Sequence, residues 1–256
     1  MSYVTNQELT DYVNQLLMID QYQDYAPNGL QVEGKNTIHK IVTGVTACQK
    51  LLDEAIKHQA DAVMVHHGYF WKGEPAEMIS MKYQRLSKLI KHDINLLAYH
   101  LPLDGHITYG NNICLAQRLD LTFQKEHPVK PGANIVMLGN NNSPVSPVEF
   151  GKRISQALNR TPLRVGSDDQ RLIEKVAWCT GAGQDFLADV AYQNAIDAFI
   201  TGEINERTTH IARELDVHFY SAGHHATERD GIRVLGDHIA DKFNIDVEFI
   251  DIDNPV

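Results

Sequence analysis

The chain has 256 residues, enough for two hydrophobic cores at roughly 100–150 residues each. Its composition, 43% hydrophobic and 22% charged, is that of an ordinary globular protein with core-forming residues to spare, so stability does not require a disulfide framework. Thirty-three acidic against 23 basic residues leave a net charge of −10, which argues against nonspecific nucleic-acid binding over the whole surface, because that binding runs on lysine and arginine neutralising phosphates. The three cysteines, Cys48, Cys114 and Cys179, are widely spaced and form no C-x-x-C pair. They argue for a reducing compartment, and a cytoplasmic location is expected. The start MSYVTNQELTDYV lacks the basic segment and apolar run of a signal peptide, and no apolar run of about 18 residues predicts a membrane span.

The first predicted helix covers 5–17, opened by the capping-box pair Thr5 and Glu8, with Leu9, Val13, Leu16 and Leu17 at helical spacing. A short strand LQVEG (30–34) follows. Residues 40–60 read as a strand, a turn and an amphipathic helix, and DAVMVHH (61–67) as the next strand. INLLAYH (94–100) is a further strand, with a helix over about 109–119. Residues 121–145, with Pro128, Pro131, Pro144 and the run Gly139–Ser143, read as a connector holding one strand at 133–138. The order then begins again. A helix over 146–158 is opened by Ser146 and Glu149, and carries Phe150, Ile154, Ala157 and Leu158 at helical spacing. A strand at 163–167 follows, then strand, turn and helix over 175–195, and strands 197–203 and 217–224. The chain closes with a helix over about 229–243 and a strand at 246–252, which is expected to pair with the connector strand.

The two halves align residue by residue. Gln49 falls on Gln184, Leu52 on Leu187 and Asp61 on Asp197. Alternating strands and helices predict an α/β fold with helices on both sheet faces. The expected architecture is two duplicated α-β-(βα)3 repeats, over 1–125 and 126–256, with mixed, mostly parallel sheets related by a pseudo-twofold axis.

In open α/β sheets, ligands bind beyond the carboxyl ends of the strands. Those ends hold His66-His67-Gly68, then His100 with Asp104 and His106, then Gly202-Glu203, and finally Gly223-His224-His225 with Glu228. The alignment lays His100 on His224, Asp104 on Glu228, and His67 on Glu203. Two related clusters are therefore expected to face one cleft between the halves. Imidazole and carboxylate suit zinc, iron(II), manganese and nickel. Strong ligands in such number exceed the four of a structural zinc and point to two ions bridged by a carboxylate and water. His39, His58, His92, His127, His210, His218 and His238 read as surface or local polar contacts. Tyr69, Phe70 and Trp71 either stack on a substrate ring or simply pack beside the site.

The segments DYAPNGLQVEG (24–34), VTGVTACQKLLDEA (42–55), HHGYFWKG (66–73), HLPLDGH (100–106), GNN (110–112), DAFITGE (197–203) and AGHHATER (222–229) resemble the YbgI-type, NIF-three-like family over nearly the whole chain. Its members are often labelled GTP cyclohydrolase 1 type 2 homolog. The resemblance implies intertwined repeats and a homohexameric ring with metal sites facing its interior. It also implies a dinuclear site of His66, His67, Asp104, His224 and a bridging Glu228. The ions are zinc, iron, manganese, nickel or magnesium, with the identity left open.

The expected activity is metal-dependent hydrolysis of cyclohydrolase type on a nucleotide-like or cyclic-amide substrate. His100, Glu203 and His225 are candidate acids or bases. Two alternatives stand beside it. One is a non-catalytic metal-binding ring or adaptor. The other is a factor acting on damaged nucleotides or nucleic-acid ends in DNA repair. The latter needs a basic pore, and Lys72, Lys82, Arg85, Lys88 and Lys91 form the local basic concentration. No membrane partner is expected.

Overall fold

The structure is a computed structural model that describes residues 2–129, 134–167 and 171–256. The chain forms two compact units, one of residues 1–103 and 231–253, the other of 104–230 and 254–256.

In the first unit, β1 (Val4–Thr5) leads into α1 (Asn6–Leu16). The capping box is complete: the Glu8 N–H donates to the Thr5 hydroxyl at 3.1 Å, and the Thr5 N–H donates to the Glu8 carboxylate at 3.0 Å. Then come β2 (Gly29–Val32), β3 (Thr37–Ile38), β4 (Lys40–Thr46), α2 (Gln49–Lys57), β5 (Ala62–His67), α3 (Ser80–His92) and β6 (Asn95–Ala98), while the short α4 (Leu101–Gly105) begins in the first unit and its residues from Asp104 onward belong to the second. The second unit holds α5 (Asn111–Arg118), β7 (Leu121–His127), β8 (Val136–Val145), α6 (Pro147–Leu158), β9 (Leu163–Val165), β10 (Ile173–Cys179), α7 (Leu187–Gln193), β11 (Ala198–Thr201), α8 (Glu206–Glu214) and β12 (His218–Ser221). Helix α9 (His224–Phe243) starts in the second unit, and its residues from Gly231 onward belong to the first, as does β13 (Asp246–Phe249). The compact units therefore divide elsewhere than the 125/126 boundary of the sequence repeat. At the second capping box only half is made: the Glu149 N–H reaches Ser146 at 3.3 Å, but the Glu149 carboxylate takes Lys152 at 2.6 Å.

Apart from the antiparallel pair β1–β3, the two larger sheets are mixed, with parallel strands at their centre. The first runs β13-β4-β5-β6-β2, with β2 antiparallel to β6. The second runs β7-β8-β10-β11-β12-β9, with β9 antiparallel to β12. The stretch β4-β5-β6-β2 thus has the order and directions of β10-β11-β12-β9. Asp61 and Asp197 mark the match in side-chain detail. Asp61 accepts the N–H groups of His39 and Lys40 at 2.8 and 3.1 Å, and Asp197 those of Glu174 and Lys175 at 3.1 and 2.8 Å.

The sheets differ beside their first parallel strand. β13 lies against β4, not against the connector strand as expected. The reason is that β8 already has both edges occupied, by β7 and β10. The expected connector is itself a β7–β8 hairpin. Its predicted strand 133–138 begins at Val136, and Ala133 lies outside the described residues.

Leu9 and Val13 of α1 and Ile232, Leu235 and Ile239 of α9 bury one face of the first sheet, and Leu51, Leu52, Leu86 and Leu89 bury the other. In the second unit Phe150 and Ile154 pack with Trp178, Ile200 and Tyr220. Full burial of each such side chain contributes about 1.5–3 kcal/mol. Because the central strands are parallel, the carboxyl ends of β4, β5 and β6 emerge at one edge, and those of β10, β11 and β12 do the same in their own unit.

Candidate metal centre

In the first unit, the parallel register that pairs Val65 with Ala98 brings His66-His67 and Tyr99-His100 out together. The ring centroids are 4.4 Å apart for His66 and His67, 5.2 Å for His66 and His100, and 5.7 Å for His67 and His100. One ring nitrogen from each lies within 4.8 Å of the others. His66 is wholly buried, and its Nδ1 sits 2.9 Å from the Tyr99 carbonyl. A carbonyl only accepts, so Nδ1 carries the proton and Nε2 the lone pair. His100 is set in the same tautomer by the Asp24 carboxylate, 2.8 Å from its Nδ1. His67 has its Nδ1 3.2 Å from the Thr46 hydroxyl.

Asp24 belongs to the segment before β2. Its carboxylate also accepts from the Leu101 N–H at 2.9 Å and from the Asn28 amide at 3.0 Å. Burial alone pushes this carboxyl up, but His100, Asn28 and the Leu101 N–H outweigh it and hold it at about 2.

Two aromatic rings border this cluster. Tyr25 and Trp71 stand edge-on to His100 at 4.9 and 5.0 Å, and 5.7 Å from each other. Tyr69 packs in the core instead, with its hydroxyl donating to the Ala47 carbonyl at 2.7 Å. Phe70 is exposed, with Lys82 over its ring at 5.5 Å. It sits at φ 64°, a conformation that bulky residues seldom adopt.

The second unit presents carboxylates. His224 opens α9, and its Nε2 lies 3.2 Å from Glu228 one turn later. Its Nδ1 is 2.6 Å from Glu203, which follows β11. Burial opposes a charge on His224, yet Glu228 and Glu203 push its pKa up to about 9. Asp104 accepts from the Asn111 amide at 2.9 Å and the Thr180 hydroxyl at 3.1 Å. Carboxylate oxygens of Asp104 and Glu228 come within 4.8 Å of each other. The two side chains belong to residues only 5% and 2% exposed, a placement that costs heavily for paired anions unless a cation joins them. The neighbouring Cys179 thiol is pushed up by burial and then by these same two carboxylates.

Backbone shape makes room for this group. Gly181, at φ 64°, lies so close that a Cβ there would stand 2.1 Å from a Glu228 oxygen and 3.1 Å from His224 Nε2. A Cβ on Gly202 would meet the His224 Cα at 2.6 Å.

Each unit therefore contributes donors that could hold a divalent metal ion. Imidazoles are held in a ligand-ready tautomer by outer hydrogen bonds, and carboxylates are gathered in a buried place. Among the described residues, no potential metal-ligand group includes His225 or His106. His106 instead takes the N–H groups of Thr108 and Tyr109 on Nδ1 at 3.2 and 3.1 Å. Sequence reasoning missed Asp24, Asn111 and Thr180 as supports. For Asp24 and Asn111 the signal lay in the segments DYAPNG and GNN, whose polar residues had no assigned task; Thr180 stands in neither. The basic concentration is largely engaged: Lys88 pairs with Asp53, Lys82 donates to the Pro75 carbonyl at 2.7 Å, and Arg85 lies 5.8 Å from the Tyr69 ring centroid. Among the described residues no helix is long and apolar enough to cross a membrane, and the three cysteines are free thiols.

Residues 4–255 match the family model described as Duf34/NIF3 (NGG1p interacting factor 3). A Vibrio cholerae protein named GTP cyclohydrolase 1 type 2 homolog is 50% identical over 257 residues, covering 99% of this chain and 100% of that protein. An Escherichia coli K12 protein of the same name is 51% identical over 251 residues, covering 98% and 99%. A solved structure described as protein ybgI, of unknown function, superposes with a TM-score of 0.94 at 50% identity, covering 99% of this chain and all of that one.

Proposed function

The chain belongs to the Duf34/NIF3 family, and on that premise we propose that it is a dinuclear metal-dependent hydrolase of cyclohydrolase type. In this reading His66, His67, Asp104, His224 and Glu228 would hold two divalent ions, Glu228 being the carboxylate the family resemblance implies is shared between them. The observation that carries it is the tautomer control. His66 and His100 each have Nδ1 against an oxygen that only accepts, which leaves the lone pair on Nε2, and Glu203 orients His224 in the same way, so that a metal ion would replace the proton His224 holds toward Glu228. Burial of Asp104 and Glu228 adds the need for cationic charge.

When bound, such ions supply Lewis acidity and bring the pKa of water toward neutrality. The protein's own groups do the rest. Asp24 orients His100, which serves as the proton carrier at Nε2. Glu203 is committed to His224 and works as an orienting carboxylate. His225 has no part in the proposed chemistry. Trp71 and Tyr25 offer a wall to a planar substrate ring, in keeping with a nucleotide-like or cyclic-amide substrate. A homohexameric ring belongs to the same reading, and light scattering on the purified protein tests it.

Elemental analysis of the purified protein should find about two divalent ions per chain, and Glu228→Gln should lose most of them. The loaded protein should turn over at least one class among nucleotides, phosphoesters and cyclic amides, with Glu228→Gln as the blank. Metal without turnover would favour the non-catalytic adaptor. A metal-free wild type with undiminished activity would overturn the proposal.

A further inference from the structure

A second site stands on different residues in the second unit. A cavity of about 340 Å³ is lined by Lys125 of β7, Leu138 and Asn140 of β8, Lys175 of β10, and Asn194 and Ile196 ahead of β11. That volume is in the range of small-molecule sites. Strand register explains the convergence. Lys125 pairs with Leu138, and Lys175 pairs with Asn140. Leu138 and Asn140 are two residues apart, so all four share one sheet face. The register shift between Phe123 and Lys125 helps to aim Lys125, as bulges do beside binding sites.

The lining is unusual for so acidic a chain. Many of its cations are spent in ion pairs, such as Lys35 with Asp61 and Lys40 with Asp246. Among the described residues, no ion pair involves Lys125 or Lys175. The asparagine run points the same way. Asn141 donates to the Ile173 carbonyl at 2.8 Å, and Asn142 to Asp120 at 3.0 Å. Among the described residues the Asn140 side chain has no such bond, and it lines the cavity.

We infer that this cavity binds a small organic phosphate. Two ammonium groups balance one phosphate dianion as point charges. The Asn140 amide is left for a hydroxyl or ring-edge group, the Asn194 amide nitrogen being held by the Val190 carbonyl at 3.0 Å, and Leu138 and Ile196 are left for the apolar body.

The test is calorimetric titration of the purified, metal-loaded protein with AMP, and separately with inorganic phosphate, at low and at raised salt. AMP should bind saturably and weaken with salt. The double variant Lys125→Gln/Lys175→Gln should lose at least tenfold, and Asn140→Ala about threefold, each with an unchanged circular dichroism spectrum. The part of AMP binding that the double variant abolishes should persist in Glu228→Gln, whatever AMP the metal centre itself takes. Absence of saturable AMP binding, indifference to the double substitution, or loss of that lysine-dependent part in Glu228→Gln would each overturn the assignment. Inorganic phosphate binding as tightly as AMP would overturn the role given to the organic body.

Discussion

The strand ends of the two units show one scaffold carrying opposite chemistry. In the first unit β5 ends in His66-His67, and in the second the aligned positions are Gly202-Glu203. His100 and His224 occupy matched positions, and each has its Nδ1 fixed by a carboxylate. That carboxylate is Asp24 from the N-terminal segment in one unit and Glu203 from the next strand end in the other. Thr46 and Gly181 are likewise aligned. Thr46 holds His67 through its hydroxyl, whereas Gly181 vacates the space that Glu228 and His224 fill. The framework residues Asp61 and Asp197 meanwhile keep the same bonds. At the edge where ligands gather, specialisation proceeds by swapping an imidazole for a glycine or a carboxylate. The outcome is a histidine-rich set in one unit and an acidic set in the other.

This contrast can be broken most forcefully at Gly181. Gly181→Ala places a methyl against Glu228 in a left-handed backbone, and should cost about 2–4 kcal/mol and reduce bound metal. Urea unfolding with elemental analysis checks this, and a neutral result would show that the close approach is not needed.

The next largest effect concerns Asp24. Its folded pKa of about 2 lies below the ordinary 3.8, so it stabilises the fold above pH 4, and that contribution fades as pH falls through about 2. The shift corresponds to about 2 kcal/mol. Asp24→Asn should therefore be less stable than wild type at pH 6, with the gap narrowing from pH 4 downward in denaturant titrations. A gap that widens on acidification would refute this.

The smallest effect sharpens the framework side. Asp61→Ala should cost about 2 kcal/mol and Asp197→Ala about 1 kcal/mol in thermal unfolding. Asp61 is the more buried of the two and also holds Lys35 at 2.6 Å. Equal costs would mean that the lysine contributes nothing.

Much of this was legible in the chain itself. Helical spacing in 5–17 and 146–158, the capping residues and the repeated strand–helix order depend on neighbours only a few residues away, so the α/β class and the strand-end histidines and carboxylates could be read directly. What holds those groups could not be. Asp24 reaches His100 across 76 residues and Thr180 reaches Asp104 across another 76. The final strand found its partner in β4 because both edges of β8 were taken. Edge availability and side-chain tautomers are properties of packed neighbours from distant chain segments. Local pattern determined which elements form, and tertiary packing decided which strand lies beside which and which ring nitrogen carries the proton.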